Sequence, residues 1–184
     1  MNKKLFKYIL FGIMAFGLGG VASGFIATKI SGHFWGDNFI EGFIFGFIGA
    51  ISIAIFVNTK IFKRIFLILT GGVGFGIGYA LTPWLIYIIL PMSYLIPFLG
   101  SIFYYFLPRF LAGVIYMSSI SYFIEMPKRI ILWSGLIFSI ANLTAIFFPG
   151  GFIFHNAVYG IVGGAMLMAR FYFFEKSKNV NPTN

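Results

Sequence analysis

Residues 65–108 read IFLILTGGVGFGIGYALTPWLIYIILPMSYLIPFLGSIFYYFLP, a stretch of 44 residues without one charged side chain. A transmembrane helix needs about 20 consecutive apolar residues, because the hydrocarbon core of a bilayer is about 30 Å thick. The stretch is therefore long enough for two spans. Pro91 and Pro97 lie near its midpoint and are typical of a turn. The sequence thus predicts a helical hairpin that crosses a membrane twice.

The rest of the chain is divided by charges in the same way. Further uncharged stretches are 8–28, 42–59, 110–124 and 130–169. The last is long enough for two spans, separated at Pro149-Gly150-Gly151. The first is longer than the apolar core of a signal peptide, so we interpret it as an uncleaved span.

These stretches predict the fold class and the domain organisation. We expect an all-α, polytopic transmembrane bundle of six helices arranged as three hairpins. The predicted helices cover 7–29, 38–58, 64–90, 100–124, 129–148 and 152–174. A single transmembrane domain, 1–178, is then followed by a short polar tail, 179–184.

Composition excludes several classes of protein. Of the 184 residues, 60% are hydrophobic and 9% are charged, whereas about a quarter are charged in a soluble globular domain. The chain has no cysteine, which excludes disulfides, thiolate metal sites and cysteine nucleophiles. No Ser/His/Asp constellation and no pair of carboxylates inside a span can be assembled. We therefore expect no enzymatic activity and no metal site, while the sequence leaves open whether the protein binds a cofactor.

The positive charges predict the orientation. Eleven of the 13 Lys and Arg residues fall on one side of the predicted bundle, and Lys29 and Arg109 fall on the other. Lys and Arg in short loops stay on the cytoplasmic side of a membrane. We therefore expect a multi-pass protein of the cell membrane with both termini in the cytoplasm. The net charge of +9 then reflects topology and attraction to anionic lipids, and does not indicate nucleic-acid binding.

An internal repeat is a further hypothesis. Basic pairs at Lys3-Lys4, Lys63-Arg64 and Lys128-Arg129 each open one predicted hairpin. Each returning helix carries a polar residue followed four positions later by glycine: Asn38 and Gly42, Arg109 and Gly113, Asn156 and Gly160. A triplication around a pseudo-threefold axis would place the three polar residues at similar depth. The alternative is that short membrane hairpins commonly begin with cations and contain glycine.

Glycines four residues apart predict close packing between helices. Such a pair lies on one helix face and lets two backbones approach each other. The pairs are Gly20 and Gly24, Gly42 and Gly46, Gly72 and Gly76, and Gly160 and Gly164. Residues 70–78 carry so little side-chain bulk that this part of the third helix should be central, or else unwind to expose backbone to a ligand.

The candidate ligand-binding residues lie at the predicted turns on the non-cytoplasmic side. They are Asp37, Asn38, Glu41, Arg109, His155 and Asn156. His33, Asp37 and Glu41 repeat every four residues and would share one helix face. Such a face is suited to a cation or a protonatable group, but it is also compatible with a hydrated loop in which Asp37 caps a helix.

Arg109 is the most informative of these residues. Only 15 uncharged residues separate it from Glu125, so a helix long enough to cross the bilayer must include it. Three roles remain open: its guanidinium group extends to lipid headgroups, pairs with Asp37 or Glu41, or binds an anionic ligand. Asn142, near the middle of the fifth predicted span, needs a buried partner because an unsatisfied amide in hydrocarbon is costly.

Two functional hypotheses follow. The first is a small-solute binding or transport component with a pocket facing outward, working in the lipid bilayer as a homo-oligomer or with other membrane subunits. The second is a non-catalytic accessory or assembly subunit of a larger membrane complex. In size, number of spans and cytoplasmic termini the chain resembles the substrate-binding subunits of energy-coupling-factor vitamin transporters. That resemblance concerns architecture alone, since the sequence carries no motif of the family.

Overall fold

The structure is a computed structural model that describes residues 2–29, 36–95, 97–148 and 150–180. Within these residues the chain is helical, without a strand. The helices are α1 (Lys3–Lys29), α2 (Gly36–Phe56), α3 (Ile61–Ala80), α4 (Thr82–Leu95), α5 (Pro97–Ser121), α6 (Lys128–Ile146) and α7 (Phe152–Val180). Five helical stretches among the described residues are long and apolar enough to cross a membrane. The all-helical fold expected from the uncharged stretches is therefore confirmed, with several helices suited to crossing a membrane.

The third predicted helix, 64–90, is divided into two helical segments, α3 and α4. The division falls at Leu81, whose amide still donates to the carbonyl oxygen of Ile77 at 3.0 Å. Pro83 accounts for it, because proline has no amide hydrogen and its ring crowds the carbonyl group four residues earlier. The glycine run 70–78 lies inside α3 and is continuously helical, so the expected choice between packing and unwinding is resolved in favour of packing.

Pro91 does not end a helix, contrary to the expected turn. It lies within α4, which continues to Leu95, and α5 begins at Pro97. Residue 96 lies outside the described residues. At the other end of the chain α7 continues to Val180, so the predicted polar tail begins as helix. The predicted turn at Pro149 is consistent with α6 ending at Ile146 and α7 beginning at Phe152, although Pro149 itself lies outside the described residues.

Six of the helices form a closed ring. Each of α1, α2, α3, α5, α6 and α7 packs against the next in that order, and α7 packs against α1. Helix α4 packs mainly against α5. The cationic end of the bundle is the end where α1 begins, α7 ends and the connections 57–60 and 122–127 lie. The opposite end carries the start of α2, helix α4 and the α6–α7 connection.

Glycines bring α1 and α7 into backbone contact. A Cβ atom added at Gly160 would meet the backbone carbonyl group of Phe16, and one added at Gly20 would meet that of Asn156. Gly12 and Gly164 face each other in the same way, and a Cβ atom at Gly24 would lie 2.9 Å from the Cα atom of Ile153. No side chain fits between the two helices at these positions.

Glycines on α2 and α3 instead accept the aromatic side chains of the facing helix. A Cβ atom added at Gly46 would lie 2.5 Å from the Cβ atom of Phe75, and one at Gly42 would lie 2.7 Å from that of Tyr79. On α3, Gly72 and Gly76 lie under the rings of Phe43 and Phe39 respectively. Glycine on one helix thus makes room for a ring on its neighbour.

Six aromatic side chains fill the centre of the ring, one from each of its helices. We call them the aromatic layer: Phe16, Phe45, Phe75, Tyr116, Phe138 and Tyr159, all with 0% exposure. The centroids of contacting rings are 4.9–6.1 Å apart, which is the usual range for favourable aromatic pairs. The aromatic layer therefore closes the axis of the bundle about halfway along its length.

Candidate functional site

Polar side chains lie next to the aromatic layer, on the side that faces away from the cationic end of the bundle. We call this group the polar cluster: Glu41, Tyr79, Arg109, Asn142, His155 and Asn156. Most of its members lie one helical turn from the aromatic layer, as Tyr79 follows Phe75 and Asn142 follows Phe138 by four residues. The closed ring of helices thus holds polar groups from α2, α3, α5, α6 and α7 close together.

The guanidinium group of Arg109 lies against two tyrosine rings. Its Cζ atom is 3.9 Å from the centroid of the Tyr79 ring and 5.6 Å from that of the Tyr159 ring. Both distances are within the range at which a cation is attracted to the face of an aromatic ring. The Nη1 nitrogen is buried and has no hydrogen-bond partner among the residues that the structure describes. Arg109 is therefore held in place by stacking, with part of its hydrogen-bonding capacity unused.

Glu41 is bound to α7. Its exposure is only 5%, and its Oε1 oxygen accepts a hydrogen bond of 3.0 Å from Nδ2 of Asn156. The carboxylate also lies within coulombic range of Arg109. A buried carboxylate is costly unless hydrogen bonds and an opposite charge compensate it. Asn156 supplies the hydrogen bond, which ties α2 to α7, and Arg109 lies near enough for its charge to act on the carboxylate.

Asn142 connects α6 to α5 and to α7. Its Nδ2 nitrogen donates a hydrogen bond of 3.0 Å to the carbonyl oxygen of Tyr105, and its Oδ1 oxygen lies 3.3 Å from Nε2 of His155. The expected buried partner of Asn142 is thus confirmed. Pro108 lies inside α5 near this contact and interrupts the hydrogen-bond ladder of the helix. The carbonyl oxygen of Phe106, which follows Tyr105, also accepts a hydrogen bond from α6, donated by the hydroxyl group of Ser139.

A cavity of about 560 Å³ lies between α4, α5, α6 and α7 at the opposite end. Along their helices, Arg109, Asn142 and Asn156 are the lining residues nearest the aromatic layer. Phe148 and Phe152 line its outer part, and each is 48% exposed. The cavity therefore extends from the surface of the bundle down to the polar cluster, and its volume is typical of small-molecule sites.

The wall of the cavity is positively charged. Among the described residues that line it, Arg109 is the only Lys, Arg, Asp or Glu. Arg109 is partly exposed there, and His155 lines the wall beside it. Glu41 is not among those lining residues, and its carboxylate is hydrogen-bonded to Asn156. A molecule in the cavity would thus face the guanidinium group of Arg109 and not the carboxylate of Glu41.

The structure brings together four of the six candidate residues. Glu41, Arg109, His155 and Asn156 belong to the polar cluster, and the last three line the cavity. Asp37 and Asn38 lie in the first turn of α2 and are partly buried, outside the described lining. His33, the third member of the expected face, lies outside the described residues, so that face remains a prediction.

Sequence reasoning missed the tyrosines that contact Arg109. None of the three roles considered for Arg109 included stacking on Tyr79 or Tyr159. One signal was available, because Tyr79 follows Phe75 by four residues just as Asn142 follows Phe138. That spacing places the polar group of each pair on the same helix face as a ring of the aromatic layer.

Comparison with models of protein families, with curated proteins and with solved structures gives no match. The class of the protein is therefore defined by its fold: an all-helical chain with several helices suited to crossing a membrane.

Proposed function

We propose that the chain is a small-solute binding or transport component of the cell membrane, with a polar cavity that faces away from the cytoplasm. The observation that carries the proposal is Arg109, a charged group beside a cavity that is large enough for a small molecule. Burying a guanidinium nitrogen that has no hydrogen-bond partner among the described residues is costly for stability. Such a cost is typical of sites that are preorganised for a ligand.

The aromatic layer supports binding more directly than conduction. Its contacting rings leave no open path along the axis of the bundle, so a solute in the cavity stops at the polar cluster. Transport then requires a rearrangement of the helices or a partner subunit that moves the binding component. We therefore include partner membrane subunits or further copies of the chain in the proposal.

Native mass spectrometry of the protein, extracted in mild detergent from its own membrane, tests the proposed function. We expect a non-lipid small molecule bound to a monomer or a small homo-oligomer. Substituting tryptophan for Ile146, which lines the cavity, should reduce its occupancy severalfold by filling the space. Ile140→Trp is the matched control, since Ile140 lies on the same helix and is similarly exposed, 42% against 40%.

Two results would contradict the proposal. Equal occupancy in the Ile146→Trp and Ile140→Trp variants would show that the molecule binds elsewhere. A stoichiometric complex with other proteins and without a bound small molecule would instead favour the accessory-subunit hypothesis.

We further propose the finer topology: six spans in three hairpins, with both termini in the cytoplasm. The separation of the cations supports it, because Lys3, Lys63 and Lys128 lie toward the cationic end while the cavity lies at the opposite end. Positive residues near short connections remain cytoplasmic. The internal triplication remains a hypothesis within this topology.

Labelling of single cysteines tests the orientation, and the absence of native cysteine makes each label unambiguous. We introduce Gly151→Cys, where a side chain meets no atom within 4 Å, and Ser177→Cys near the end of α7. In intact cells a membrane-impermeant maleimide should label the first variant and not the second. Both should react after permeabilisation. The reverse pattern in intact cells would invert the topology and place the cavity on the cytoplasmic side.

A further inference from the structure

We infer that the ligand of the cavity is a small organic anion whose charged group contacts the guanidinium group of Arg109. The inference rests on the proposed function, because it names the chemical class of the solute. Its first basis is the distribution of charge: the described wall presents the guanidinium group of Arg109 to the cavity, while Glu41 is not part of that wall and its carboxylate is hydrogen-bonded to Asn156.

The second basis is the unused bonding capacity of Arg109. Stacking on Tyr79 fixes the plane of the guanidinium group but satisfies none of its five N–H donors. Nη1 has no hydrogen-bond partner among the described residues. The planar fork of arginine matches the two oxygens of a carboxylate. Because Nη1 itself is buried, an anion in the cavity would contact the accessible part of the guanidinium group, which lines the cavity.

The third basis is the size and the remaining lining of the cavity. A volume of about 560 Å³ is far larger than one inorganic anion requires, since a water molecule occupies about 30 Å³ of the liquid. Apolar and aromatic side chains line the part beyond Arg109, including Ile86, Tyr105, Ile146 and Phe152. This wall is suited to an organic body attached to the charged group.

Three molecules of nearly the same shape test the charge of the ligand on the wild-type protein. Benzoate is an anion, benzamide is neutral and benzamidine is a cation. We measure the thermal stabilisation of the detergent-solubilised protein as a function of the concentration of each. Benzoate should stabilise the protein at concentrations at least tenfold lower than benzamide, and benzamidine should not stabilise it. Because this series needs no variant, the result does not depend on how a mutant folds.

Variants then locate the contact. Arg109→Gln should weaken the apparent affinity for benzoate by about tenfold to a hundredfold, the range expected for the loss of a hydrogen bond between charged groups. Arg109→Lys, which keeps the charge without the fork, should lose less. Arg170→Gln is the matched control, because the guanidinium group of Arg170 also lies over an aromatic ring, 5.6 Å from that of Trp133, but away from the cavity. Arg170→Gln should bind benzoate like the wild type.

The anionic class would be overturned if benzamide or benzamidine stabilised the wild type as well as benzoate does, or if Arg109→Gln kept the wild-type response. Failure of the proposed function has a different signature, in which none of the three molecules stabilises any of the proteins. The headgroup of an anionic lipid has the same chemistry, so one arm uses short-chain phosphatidylglycerol. Stabilisation by that lipid alone, lost in Arg109→Gln, would overturn the organic solute and assign the contact to a lipid headgroup.

Discussion

Replacing Gly160 by alanine should lower the stability of the protein by up to about 2 kcal/mol, although alanine is the better helix former. A Cβ atom at this position meets the carbonyl group of Phe16 and would lie 3.2 Å from the amide nitrogen of Gly17. These are backbone atoms that cannot turn aside, so α1 and α7 must separate. Inserting a group into a packed interior commonly costs about 1–3 kcal/mol. The helix propensity gained, about 1 kcal/mol, recovers only part of that cost.

The measurement is thermal unfolding in detergent, followed by tryptophan fluorescence and size-exclusion chromatography. We expect Tm to fall by about 4–8 °C, since 1 kcal/mol corresponds to roughly 2–4 °C for a domain of this size. Gly36→Ala is the control, because Gly36 begins α2 and a Cβ atom there meets nothing within 4 Å. It should leave Tm within about 2 °C. Equal Tm values for the Gly160→Ala variant and the wild type would show that α1 and α7 are not in backbone contact.

The helical architecture was predictable from the sequence because of one strong constraint. In hydrocarbon every backbone amide and carbonyl group needs an internal partner, so a long uncharged stretch becomes a helix. For the same reason, the prolines were weaker signals for the ends of helices. Pro91 and Pro108 both lie inside helices, where each removes one hydrogen bond without ending the element. Pro83 coincides with the division at Leu81, Pro97 begins α5 and Pro127 precedes α6.

The depth of the polar residues could not be obtained from their spacing to glycine. On α2, Asn38 lies seven residues before Phe45 of the aromatic layer, and on α5, Arg109 lies seven residues before Tyr116. On α7, Asn156 lies only three residues before Tyr159. At 1.5 Å per residue Asn156 is therefore about 6 Å closer to the aromatic layer along its helix. This difference in depth allows Asn156 to reach Glu41 on α2, four residues before Phe45.

The candidate site was partly predictable because charged groups are conspicuous in an uncharged chain. Arg109 and Glu41 were identified on that ground. Tyr79 and Tyr159 were not, because the chain has 10 tyrosines and 26 phenylalanines, and the spacing of Tyr79 from Phe75 marks a helix face without showing which rings meet in space. Contacts between residues as distant in sequence as Glu41 and Asn156 depend on the closure of the ring by α1 and α7.

Phe138 is the member of the aromatic layer that contacts all the others. Its ring centroid lies 5.0 Å from that of Phe75 and 5.6 Å from that of Phe16. Distances to the remaining rings are 6.1 Å for Phe45, 6.0 Å for Tyr116 and 5.8 Å for Tyr159. These contacts join helices on every side of the ring, so a single truncation at Phe138 affects the whole layer.

Phe138→Ala should therefore cost about 3–5 kcal/mol, the range for removing a buried phenylalanine side chain, and lower Tm by roughly 10 °C. Phe138→Leu, which keeps most of the volume, should recover more than half of the loss. Phe173→Ala is the matched control, since the Phe173 side chain is 51% exposed, and its Tm should stay near that of the wild type. If the aromatic layer closes the axis, liposomes with Phe138→Ala should also release a small entrapped anion faster than wild-type liposomes. Equal release and equal Tm in the two alanine variants would mean that the layer neither supports the ring nor closes it.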